Sequence, residues 1–202
     1  MMSKTLLAIS ALSLAIISGS AVSAVTTGQL TFNWQGVVPT APVTGSGWAF
    51  VDSLDIPYSP GTEQVNIVLD DVTKSISVTG VKPYDFFIVP VTGSVTPGTA
   101  VSRGTTLNNV KAYLGSAPIS GGFIGNKQLA LSTTDTAADG QVAVTLNGRV
   151  LKVGNVNASQ VDVTGGKESH VVIDVNAKAT AADVSEGASI SFTAPVVFAV
   201  DI

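Results

Sequence analysis

Residues 28–38, G-Q-L-T-F-N-W-Q-G-V-V, alternate with a period of two. Leu30, Phe32, Trp34 and Val38 share one parity with Gly28 and Gly36, while Gln29, Thr31, Asn33 and Gln35 hold the other. Successive side chains of a strand point to opposite faces, so this stretch is built to bury one face and leave a polar one outward. Its first eight residues carry no charge, although sheet edges are ordinarily blunted by charge or proline. Two pairings are open to such a strand. It can pair inside its own domain or with another molecule.

The same period recurs along the chain between glycine and proline breaks. Pro39 and Pro42 end the first segment, since neither can sit in a paired central strand. A strand is expected over 48–56, stopped by Pro57, with a turn at 58–61. Residues 63–69, with Val65, Ile67 and Leu69 inward, turn at Asp70 and Asp71 into 74–78 and predict a hairpin. Phe86, Phe87, Ile88 and Val89 are continuous, which predicts a strand over 84–91 that is buried on both faces or crosses the core.

Residues 93–104 and 116–125 read as loops, 109–114 and 127–131 as strands, and 133–140 as a turn. Asn147-Gly148 between two apolar runs predicts a tight hairpin over 141–153. Short strands follow at 160–163 and 170–175. Residues 177–187 carry some helical propensity and fit a loop equally. The chain closes on Ile190 and Phe192, then Ala194-Pro195, then Phe198, Val200 and Ile202 on one parity. Short, evenly spaced strands with almost no helix predict an all-β, immunoglobulin-like antiparallel β-sandwich in one domain.

Residues 1–24 stand apart. Lys4, an uncharged apolar run over 5–17 and small residues over 18–24 read as a secretory signal peptide cleaved after Ser23 or Ala24. Loss of Lys4 takes the net charge from −4 to −5, which gives no attraction for nucleic acid. Only 12% of residues are charged, so much of the surface is Thr, Ser, Asn, Gln and Gly. That surface suits both a plain secreted β-domain and a chain that covers itself in an assembly.

Site chemistry is sparse. The chain has no cysteine and one histidine, His170. It therefore has no thiol nucleophile, and it lacks the nitrogen and sulfur ligands of a zinc site. No G-x-S-x-G context points to a catalytic serine. Asp135, Asp139 and Gly140 lack the alternating acids of a calcium loop and read as a turn. Neither enzyme, metal nor cofactor is expected. Trp48 and Tyr58 offer a sugar-stacking face for a self-contained secreted carbohydrate-binding module, against the commoner reading of core aromatics. What remains is an amphipathic strand toward each end of an exported chain, and that suggests assembly.

Five segments carry a resemblance. These are A-V-T-T-G-Q-L-T-F-N-W-Q-G-V-V-P-T-A-P-V at 24–43, G-W-A-F-V-D-S-L-D-I-P-Y-S-P-G-T-E-Q at 47–64, V-K-P-Y-D-F-F-I-V-P-V at 81–91, G-F-I-G-N-K-Q-L-A-L-S-T at 122–133 and A-P-V-V-F-A-V-D-I at 194–202. With them the chain resembles the major pilins of the coli-surface-antigen colonisation factors of enterotoxigenic bacteria, and more broadly the subunits of chaperone–usher fimbriae. The resemblance implies an incomplete immunoglobulin-like fold whose missing strand leaves an apolar groove. A periplasmic chaperone fills it first. At the outer-membrane usher, the N-terminal extension of the next subunit takes the chaperone's place.

Carried onto this chain, residues 25–38 are the donor extension and 39–202 the sandwich. Gly28, Leu30, Phe32 and Trp34 then fill the neighbour's groove. Phe198, Val200 and Ile202 border it and meet the chaperone. The implied product is a head-to-tail extracellular fimbria of identical subunits that supports attachment to host epithelium, with a tip adhesin as a further partner. Two features depart from the pattern. The disulfide between the first strands is absent, and Asp201 stands where many pilins have an aromatic residue. A single copy is expected to hold its extension either away from the sandwich or folded back into its own groove.

Overall fold

In the computed structural model, which describes residues 25–33, 44–45 and 47–202, the alternating segments form two sheets with the core between them. The expected leader, the break at Pro39 and Pro42, and Trp34 lie outside the described residues. The strands are β1 (Val25–Asn33), β2 (Thr44–Gly45), β3 (Trp48–Val51), β4 (Val65–Asp70), β5 (Ser75–Gly80), β6 (Tyr84–Pro90) and β7 (Asn109–Leu114). They continue with β8 (Ile119–Gly121), β9 (Ala130–Leu131), β10 (Gln141–Leu146), β11 (Arg149–Val150), β12 (Ser159–Val161), β13 (Ser169–Thr180) and β14 (Ser191–Asp201). One sheet runs β1-β14-β7-β12, with β8 also on β14. The other runs β11-β10-β13-β6-β3-β2; β5 and then β4 extend it from the far half of β13, and β9 adds to β10. Only β9 and β10 pair in parallel among the named strands. This is an all-β sandwich, as the alternation predicts.

The hairpin signals act as expected. Asn147 and Gly148 take φ of 48° and 75°, the left-handed pair that joins β10 to β11. At the β4–β5 tip, Asp70 Oδ1 accepts the backbone N–H of Val72 at 2.8 Å and of Thr73 at 3.1 Å. β6 is buried on both faces near its end. Phe86 and Ile88 enter the main core, while Val89 joins Ala49 and Val51 in a second cluster on the outer face. Val95 and Val101, from the loop after β6, cover that cluster.

Several boundaries differ, each for a tertiary reason. The strand expected over 48–56 stops at Val51, because Asp52 Oδ1 accepts the N–H of Leu54 and Ile56 and curls the chain. Residues 119–121 are strand instead of loop because β14 offers them a free edge. The strand read over 127–131 shrinks to Ala130 and Leu131, since Gln128 bonds Ser120 by its side chain. The 177–187 segment is not helical at its start. β13 continues through Thr180, and Ala177 and Ala179 are buried against the core. Pairing with β5 on one side outweighs the weak helical preference of alanine. Its remaining residues include one 3-10 turn at Ala181–Asp183.

Candidate functional site: the seam between β1 and β14

β14 is one unbroken strand through Pro195. That proline is tolerated where β14 changes partners, between β8 at 191–193 and β7 at 196–201. Its carbonyl accepts from Gly115 on that side, so the missing N–H points into the change-over, where no ladder bond is lost. One parity of β14, Phe192, Ala194, Val196, Phe198 and Val200, is fully buried. The other parity is half-exposed. Phe198 packs edge-on against Phe50 at 5.2 Å and Phe86 at 6.0 Å between ring centres.

β1 lies antiparallel along the free edge of β14 over nine residue pairs, from Val25 opposite Asp201 to Asn33 opposite Thr193. It is the outermost strand of its sheet. The structure therefore shows the extension folded back along its own chain. Gly28 and Leu30 are buried, while Thr27 and Gln29 are exposed. Leu30 retains 2% of its surface and sits opposite Val196. Its burial contributes about 1.5–3 kcal/mol.

Gly28 sits opposite Phe198 and above the indole of Trp48. A Cβ there would fall 2.4 Å from Trp48 Cη2, closer than any real contact. Only glycine fits this register. Sliding β1 by two residues would drive a threonine or leucine side chain into the ring. Phe32 stands opposite Ala194 in the ladder, but its side chain lies outside the described residues, as Trp34 does altogether. At the other end Ile202 is half-buried, packs on the core and crowds Gly47, whose φ is +80°.

The seam brings together Gly28, Leu30, Phe198 and Val200, with Ile202 at its end. Two partners were missed by sequence reasoning. One is Trp48, which forms the floor beneath Gly28. The other is the run Phe192, Ala194 and Val196, legible in the even-numbered parity that continues through Pro195.

Other candidates fall away. Trp48 has no exposed surface, so it cannot stack on a sugar. Tyr58 is half-buried and stacked on Phe86 at 4.7 Å; burial, then the neighbouring Tyr84, pushes its phenol well above the ordinary range. Of the two readings of these residues, the commoner one, core aromatics, is what the structure shows, and the sugar platform falls away because both serve the core. His170 lies on the surface with Nε2 2.7 Å from Asp85 Oδ1 and its ring on Phe87. Asp139 pairs with Lys178 at 3.2 Å, and the Asp135 carbonyl accepts from Asn176, so 133–140 is a braced turn. Among the described residues no group of three or more His, Cys, Asp or Glu could hold a metal. Nor is any helix among the described residues long and apolar enough to cross a membrane.

No family model matches the chain, and no solved structure matches it. A curated relative does. The CS5 fimbrial subunit of Escherichia coli is 62% identical over 204 aligned positions, spanning 100% of both chains. A fimbrial subunit is a structural building block of a surface filament and is not a class of enzyme. On that full-length identity, the chain belongs to the family of fimbrial subunits that includes CS5.

Proposed function

We propose that this subunit polymerises by donor-strand exchange, with residues 25–38 of one copy taking the place of β1 on β14 of the next. The observation that carries this reading is the position of β1. It is an edge strand with β14 as its sheet partner, yet it supplies buried Gly28 and Leu30 to the core. A strand that completes a core from the edge, joined to the rest only through residues 34–43, can be supplied by another molecule at little cost in contacts. Main-chain pairing then gives affinity, and the clash-limited fit of Gly28 on Trp48 gives register. Because donor and acceptor surfaces differ, the contact is head-to-tail and grows a filament.

Before assembly, the free edge of β14 with Phe198, Val200 and Ile202 is where a periplasmic chaperone docks, and the outer-membrane usher is where exchange occurs. Residues 1–24 direct export to the periplasm. The finished fimbria supports attachment to host epithelium together with a tip adhesin.

Thr27 and Ala199 are opposed in the ladder on its outer face. Opposed strand positions have the spacing a disulfide requires, and the chain has no other cysteine. Fibres of a Thr27→Cys/Ala199→Cys variant are expected to give a covalent multimer ladder that survives boiling and collapses on reduction. Cross-linked monomers alone would show that each copy keeps its own strand. Removal of residues 24–34 is expected to leave a folded, chaperone-bound subunit that forms no fibres; fibres from it would overturn the reading.

A further inference from the structure

Beyond the seam, one apolar cleft of about 400 Å³ opens at the end of the sandwich toward which β1 runs. Ile67, Leu69 and Ile76 line one side, and Val184 and Ile190 the other. Ile67 stands opposite Val78, and Leu69 opposite Ile76. Opposed residues of an antiparallel pair share a face. Val78 and Ile76 are buried, so Ile67 and Leu69 occupy the inward face that their alternation predicts. Yet they keep 44% and 53% of their surface exposed. They face inward as expected, but among the described residues nothing closes over them.

We infer that this cleft is the socket for Trp34 of a neighbouring copy, an inference that rests on the strand-exchange reading. The described ladder ends with Asn33 opposite Thr193. A donor strand that kept this register for one more residue would bring its residue 34 opposite Phe192, two residues along β14 from Ile190, a wall of the cleft. Residue 34 has the parity of Leu30, whose side chain is buried. An indole brings up to about 250 Å² of surface, enough to cover the two open side chains of β4. The lining is aliphatic apart from Ser185, Glu186 and the backbone of the glycine after them, which suits an aromatic occupant with one polar N–H.

The test uses assembled fibres. Leu69→Cys is expected to react with a maleimide about tenfold more slowly in fibres than Val72→Cys, which is 92% exposed at the same hairpin, and at a similar rate in the unassembled subunit lacking residues 24–34. Adding Trp34→Ala is expected to restore the fast reaction. Should that change prevent assembly, the double variant Trp34→Cys/Leu69→Cys decides, treated with a thiol-to-thiol linker that spans the roughly 10 Å between packed sheets. It is expected to link neighbouring subunits into a ladder.

Fast labelling of Leu69→Cys in fibres would overturn the inference by showing an open cleft. Protection that persists in Trp34→Ala fibres would overturn it in favour of another copy's side, and links confined to monomers in favour of the chain's own Trp34. In each case the Thr27–Ala199 ladder reports separately whether strand exchange itself stands.

Discussion

The β1–β14 seam and the β4–β5 hairpin carry the same pattern and meet opposite fates. In β1, Leu30 is almost completely buried; in β4, Leu69 keeps half its surface, although both alternate with polar or outward neighbours. The difference lies in what stands opposite. Beneath β1 lies the other sheet, with Trp48 against its backbone. Opposite the end of β4, the described part of the first sheet stops at Asn33 and Ser191. Alternation states which face a side chain takes, but burial requires a second layer at that height.

Five changes break or sharpen this contrast. Phe198→Ala removes a ring packed between Phe50 and Phe86 at the centre of the seam, and is expected to cost about 3–5 kcal/mol in denaturant unfolding of the unassembled chain. Leu30→Ala is expected to cost about 2–5 kcal/mol in the same assay, and Leu69→Ala less than about 1 kcal/mol. Equal losses would erase the distinction between the two regions.

Gly28→Ala puts a methyl into the indole of Trp48 and is expected to cost about 1–3 kcal/mol, measured as a lower melting temperature and a changed Trp48 emission. An unchanged melting temperature would mean that β1 does not press on Trp48 in solution.

The smallest effect concerns the 3-10 turn at Ala181–Asp183. Asp183 Oδ2 accepts from Lys127 Nζ at 2.6 Å and from Thr180 Oγ1 at 2.5 Å, and these bonds hold its carboxyl below the usual carboxylate range. A depressed native pKa contributes stability above the unfolded carboxylate range and loses it as pH falls through the native value. The melting temperature of Asp183→Asn is therefore expected to lie slightly below that of the native chain at neutral pH and to converge with it in acid. A gap that persists in acid would remove the ion pair as its cause.

The two-sided burial of β6 was legible in its unbroken apolar run, and the β10–β11 turn in Asn147-Gly148, because both are local statements. Site residues Gly28, Leu30, Phe198 and Val200 were legible for the same reason, as one parity of a strand. The strand they meet was implied by the resemblance alone and not by the pattern, since pairing is a long-range choice that no local window contains. The extension of β13 through Ala177 and Ala179 was hidden too, because alanine favours helix until a neighbouring strand offers it a ladder.

By itself, then, the sequence determined the period of the chain, its turns and the apolar face of each strand. These follow from backbone stereochemistry and side-chain polarity alone. Only the tertiary structure decided that β1 lies on β14, that Gly28 is pinned by Trp48, and that Ile67 and Leu69 face inward without a cover. Those facts depend on the register and reach of one sheet over the other, which are set when distant segments compete for the same edge and core.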